Sequence, residues 1–312
     1  MYLVIGKYPT IVYTVTMSKK IKILIIISAF LLVLSVPVFI FFTREPVLIV
    51  TEQSFLYLYG ENRLKREIII NSLRLFRQIK MVAVTNDAGD DIVPHAITEI
   101  SNKPYCVLFP QRFSRSAVIY HEQNPSINIV MMEGRNNQSA VSANINPDLY
   151  FSFRTDVESD FYRAGVAAAA YSEESNGYIA VFMEPRQNSV FGSQARQAFQ
   201  RGLNELNYQL EPLFYTSYSE YYDFLELSCV VLAGAGWEYY DNRAGIPVIL
   251  FAWLDPFLAP SDTVMVIDDS PVAQVYQVVS FINKNEKSGN IKSNFTVLNA
   301  KNVSNEVLRT LK

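Results

Sequence analysis

The chain has 312 residues and is 50% hydrophobic, which excludes a disordered polypeptide and provides for one large core or two smaller ones. Its formal net charge is −3, with lysines and arginines scattered rather than grouped. That excludes nucleic acid held along a basic stripe.

From the N-terminus, residues 23–42 form an uncharged run of about twenty residues, enough to cross a ~30 Å hydrocarbon layer as a helix. Lys19, Lys20 and Lys22 precede it. By the positive-inside rule these lysines stay in the cytoplasm and the residues after Thr43 are exported. The run ends in Val36, Pro37, Val38, Phe39, Ile40, Phe41 and Phe42 without small residues in a cleavage pattern. An uncleaved anchor is therefore expected, with residues 1–45 as cytoplasmic leader and transmembrane helix. The first cysteine is Cys106, so no cysteine follows the apolar run to carry a lipid.

Beyond the anchor, apolar strand-like runs alternate with helical segments. Strands are predicted at 47–50, 81–84, 105–109, 127–132 and 149–153, then at 178–183, 229–233, 248–252 and 264–267. A helix over 91–101 puts Ile92, Val93, Ala96, Ile97 and Ile100 on one face. Another, after Asn188, does the same with Phe191, Ala195, Ala198, Phe199, Gly202, Leu203 and Leu206. Ser270 and Pro271 mark the start of the last long helix as cap and first helical residue. Residues 148–184 read as strand, helix, strand, with small residues Ala164, Gly165 and Ala168 on the helix, hence one βαβ unit and a parallel sheet.

The order is that of an α/β protein with two Rossmann-like doubly wound lobes joined by a hinge. The lobes are expected at 46–150 plus 266–283 and at 151–265 plus 284–312. Cys106 and Cys229 sit in apolar strands of different lobes and read as buried free thiols. His95 and His121 lack companions at ligand spacing, so no metal, cofactor or catalytic group is expected. Asp268 and Asp269 precede a helix and read as complements of its dipole.

In open α/β sheets ligands bind beyond the carboxyl ends of the strands. The loops there carry aromatic groups at Phe55, Phe113, Trp237 and Trp253 beside polar groups at Glu52, Asp87, Arg154 and Asp255. Aromatic walls with a few fixed hydrogen bonds suit a flat ring or a sugar. Core packing is the competing role for the tryptophans, turn capping for Asp255, and an ion pair with Asp156 or Glu158 for Arg154.

Residues 153–169 (FRTDVESDFYRAGVAAA), the NGYIAVFME that follows and 190–205 (VFGSQARQAFQRGLNE) carry a resemblance to a known family. The chain resembles the basic membrane protein (BMP) group of type 1 periplasmic solute-binding proteins from about residue 46 onward. Weaker matches are VVLAGAGW at 230–237 and FAWLDP at 251–256. Of the family's ligand-holding stretches the chain keeps Ser54 and Phe55 and the single Asp255. The resemblance implies the type 1 periplasmic binding fold, a purine nucleoside or similar small polar ligand, and delivery to an ABC-type permease. The expected place is the bacterial inner membrane, with the bulk of the chain extracytoplasmic. Two alternatives stand beside it: a degenerate binding fold with a sensor or structural role, and a membrane-anchored glycosyltransferase.

Overall fold

The computed structural model describes residues 35–133, 146–172, 177–183, 192–209, 211–217, 226–233, 245–252, 262–299 and 304–311. It divides into two units, Met1–Arg44 and Glu45–Lys312. In the first, residues 35–43 are helical, Val36, Phe39 and Phe42 are exposed, and the Thr43 hydroxyl donates to the Phe39 carbonyl at 2.9 Å. These are the last residues of the expected membrane helix; the rest of it lies outside the described residues. No helix among the described residues is long and apolar enough to cross a membrane.

In the second unit, five apolar runs become β1 (Val47–Glu52), β2 (Ile79–Val84), β3 (Cys106–Pro110), β4 (Asn128–Met132) and β5 (Tyr150–Thr155). Between them stand α1 (Gln53–Tyr59), α2 (Glu61–Leu75), α3 (Ile92–Ile100), a 3-10 turn at Gln111–Phe113 and α4 (Ser114–Gln123). These strands and β11 (Ser288–Ile291) form a wholly parallel sheet in the order β11-β5-β4-β3-β1-β2. Alternation along β1 sends Val47 and Ile49 to one face and Leu48 and Val50 to the other. The first pair packs with Tyr59 of α1 and with Val275 and Val279 of α7 (Pro271–Asn283); the second packs with Val93 and Ile97 of α3. Both faces are covered, which is why the strands read as continuous apolar runs.

The second sheet has the order β12-β10-β9-β8-β6-β7, from β6 (Tyr178–Met183), β7 (Leu213–Tyr215), β8 (Leu227–Ala233), β9 (Val248–Phe251), β10 (Thr263–Asp268) and β12 (Asn294–Val297). Only β12 runs antiparallel to its partner. Helices α5 (Val157–Ser172) and α6 (Gly192–Glu205) pack on one face through Ala164, Ala168, Ala195 and Phe199. Helix α8 (Asn305–Thr310) adds Val307 to the same cluster.

The residues expected to make one βαβ unit do not pair within one sheet. Strand β5 joins β4 in the first sheet, whereas β6 lies in the second. The chain thus passes between lobes as it enters α5, which packs on the second sheet. Residues 151–155 and 288–291, expected in the second lobe, complete the first sheet, and β10 runs on to Asp268 in the second. Pairing across strands decides this, and the side-chain period of two is the same in either sheet.

Among the described residues the chain crosses between sheets three times: from β5 to α5, from β10 to α7, and from β11 to β12. The crossings bond to one another, since the Asp156 N–H donates to the Ile291 carbonyl at 2.8 Å. Asp156 Oδ1 accepts from the Ser159 N–H at 3.0 Å and so caps α5; Ser270 Oγ caps α7 by accepting from the Ala273 N–H at 3.2 Å.

Cys106 in β3 and Cys229 in β8 are free, buried and in different sheets. Burial pushes each thiol up to about 12. At pH 8 neither is expected to react with a thiol reagent in the native protein, and both should react once urea unfolds it. Rapid native labelling of either would contradict this packing.

Candidate functional site

Each sheet has one topological switch point. In the first the chain leaves β1 for β2 on one side and then returns to β3 on the other; in the second the switch lies between β6 and β8. In open α/β sheets ligands bind beyond the strand ends at such a point.

At the first switch point, Glu52 ends β1 and Arg112 stands in the turn after β3. Their side chains form an ion pair. The Ser54 hydroxyl donates to Glu52 Oε2 at 3.2 Å, and Asn86, beyond β2, accepts from the Ser54 N–H at 3.3 Å. One strand further on, Glu133 follows β4 and is buried; it accepts from Arg154 Nε at 2.7 Å and from the Ser152 hydroxyl. Arg154 therefore pairs with Glu133, and Asp156 is the helix cap. Burial and the nearby Glu133 carboxylate both raise the Tyr150 phenol. The first lobe thus presents two carboxylate–guanidinium pairs beside hydroxyl and amide groups at its strand ends, a set suited to polar recognition.

The expected residues fall into three groups. Glu52 and Arg154 are in the pairs just described, and Asp87 is exposed in the loop after β2. Phe55 stacks on Tyr59 with ring centroids 5.0 Å apart, and Phe113 packs with Val50 and Tyr120. Both rings are buried in the first lobe's core, Phe55 in α1 and Phe113 in the 3-10 turn that also carries Arg112. Trp237, Trp253 and Asp255 lie outside the described residues. The sequence reading named Ser54 through the family resemblance alone and did not single out Arg112, Asn86 or Glu133. Residue types alone do not single them out; their placement after adjacent strands does.

A second polar group lies at the hinge. Asp268, at the end of β10, accepts from the Arg63 guanidinium at 2.6 Å and the Tyr59 hydroxyl at 3.0 Å, while its other oxygen accepts from the Ser270 N–H at 2.8 Å. Tyr59 and Arg63 belong to the first lobe, so this buried carboxylate joins the two. Burial, and then the Asp268 charge, pushes the Tyr59 phenol well up. Asp160 of α5 binds Arg163 at 2.6 Å and accepts from the Ser293 hydroxyl at 2.5 Å, which fastens α5 to the third crossing. No group of three His, Cys, Asp or Glu able to hold a metal ion occurs among the described residues.

Two six-stranded sheets with separate switch points, joined by three crossings, decide the architecture. The fold is the type 1 periplasmic binding fold. It is similar to an ABC transporter solute-binding protein from Conexibacter woesei, at 11% identity and a TM-score of 0.57, over 86% of this chain and 93% of that one. It is similar also to a transcriptional activator of the comK gene from Bacillus halodurans, at 16% identity and a TM-score of 0.54, over 85% and 94%. No family model matches the chain, and no curated protein does.

Proposed function

We propose that this chain is a membrane-anchored extracytoplasmic solute-binding protein that closes on a nucleoside or similar small polar ligand and delivers it to an ABC-type permease. The carrying observation is the Glu52–Arg112 pair at the first sheet's switch point, in a fold whose lobes are joined by three short crossings. A ligand contacting both lobes shifts an open–closed equilibrium by its differential affinity for the closed form. The role is binding, not catalysis. The BMP-like residues at 153–169 and 190–205 support the nucleoside, and the apolar run 23–42 behind its three lysines supports the anchor. The solute-binding neighbour from Conexibacter woesei is consistent with the transport role.

The test is a thermal-shift panel of nucleosides, bases, sugars and amino acids on the full chain, with native mass spectrometry of the purified protein. A ligand of this site raises Tm progressively with concentration. Arg112→Ala should weaken the best hit at least tenfold. It should cost the free protein under about 1 kcal/mol, because Arg112 is half-exposed.

One observation favours a degenerate binding fold with a sensor or structural role. Both rim carboxylates are already engaged, Glu52 by Arg112 and Glu133 by Arg154 and Ser152. An empty protein by mass spectrometry and no shift across the panel would select that role.

A further inference from the structure

Beside the hinge lies a cavity of about 510 Å³ that shares no residue with the strand-end rim. Its walls come from both lobes: α2 and α7 on one side, α5 and β12 on the other, with Lys292 and Ser293 of the third crossing between them. Arg63, Arg66, Arg163 and Lys292 line it against only two carboxylates, Glu67 and Asp268. The excess is positive in a chain whose formal net charge is negative.

Two of these guanidinium groups are held in fixed planes. Arg63 lies over the Tyr59 ring, 4.3 Å from its centroid, and is tied to Asp268. Arg163 lies over the Phe295 ring at 5.1 Å and donates through Nη2 to Asp160 and the Ser293 carbonyl. Its side chain is 8% exposed, yet among the described residues its Nη1 makes no hydrogen bond. A buried guanidinium with an unused donor beside a cavity is poised for an acceptor from outside. Lys292 likewise forms no ion pair among the described residues. It is exposed, and Gln277 holds its backbone by donating to the Lys292 carbonyl at 3.0 Å.

We infer that this hinge cavity binds a phosphate group, either inorganic phosphate or the phosphate of a small ester. Preset guanidinium forks match phosphate oxygens, with the lysine as a point charge at the mouth. Asn294 and Thr296 supply neutral polar groups for the remainder of an ester, and the volume suits a molecule of nucleotide size. The bound anion touches both lobes. This site is separate from the strand-end cleft, so the inference stands apart from the proposed transport role.

The test measures Tm of the full chain at constant ionic strength with inorganic phosphate, pyrophosphate, adenosine 5′-monophosphate and adenosine. Inorganic phosphate and the monophosphate separate the two sources, and adenosine reads the cleft alone. At concentrations about a hundredfold above Kd, at least one phosphate-bearing probe should raise Tm by roughly 3 °C or more. A rise with adenosine equal to that with its monophosphate, and none with the inorganic anions, would overturn the site. Arg66→Glu with Lys292→Glu, both exposed positions, should abolish the phosphate-dependent rise; an undiminished rise would overturn the site. If the double variant does not fold, Lys292→Ala read by calorimetric titration should weaken the probe at least fivefold. An unchanged Kd there rejects the inference.

Discussion

Gly165→Ala is expected to destabilise the protein by about 3 kcal/mol, which lowers Tm by roughly 6–12 °C. Helices α5 and α6 meet at Gly165 and Gly202. A Cβ at Gly165 would sit well inside van der Waals contact of the Phe199 carbonyl oxygen and 3.1 Å from the Gly202 Cα. The obstacle is backbone, so no side chain can swing aside; the helices must separate and uncover Ala164, Ala168, Ala195 and Phe199. Alanine's better helix propensity returns only about 1 kcal/mol. Gly202→Ala should behave alike, since its Cβ would come within 2.8 Å of the Val166 nitrogen. Gly289→Ala is the control: its nearest neighbour is the Phe281 ring at 3.8 Å, an ordinary contact, and it should change stability by less than about 1 kcal/mol. Urea melts of the three variants decide the matter. Equal loss at 165 and 289 would contradict the close helix crossing.

The second large effect is expected at Asp268. Asp268→Ala leaves the Arg63 guanidinium, with a side chain 9% exposed, without its carboxylate and takes the acceptor from the Tyr59 hydroxyl. Breaking a buried ion pair by removing one partner costs about 3–5 kcal/mol. Removing both partners with Arg63→Met should cost less than Asp268→Ala alone, because no buried charge then remains. The double-mutant cycle in urea measures the coupling. A cost for Asp268→Ala below about 1 kcal/mol would mean that the carboxylate does not join the lobes. Because Asp268 also accepts from the Ser270 N–H at the start of α7, the substitution loosens the second crossing as well as the lobe contact.

How far the architecture was readable depended on burial. Runs such as 47–50, 178–183 and 229–233 are buried on both faces, so their composition announces strands. The SGNI of β11, the NFTV of β12 and the three-residue β7 are half-exposed and carry no such run. They escaped the sequence reading, which therefore set the third crossing at 283/284, before β11, whereas the chain crosses after β11. The aromatic residues Phe55 and Phe113 were expected at a ligand wall from their position after strands. A residue just after a strand can point out to the cleft or back under the sheet, and here Phe55 of α1 and Phe113 of the 3-10 turn both point into the core. Arg154 was expected to contact ligand or to pair with Asp156 or Glu158; its partner is Glu133, on the neighbouring strand's end.

By itself the sequence determined the α/β class, nearly all the buried strands, the cap of α7 and the two separate thiols. These rest on local patterns: side-chain period, apolar run length and capping residues within a few positions of each other. Only the tertiary structure decided that residues 148–184 span two sheets, that Asp268 binds the opposite lobe as well as the start of α7, and that four cations gather beside the hinge. Each depends on which strand edges pair and on which side chains meet across one to two hundred residues, and local periodicity carries no record of such meetings.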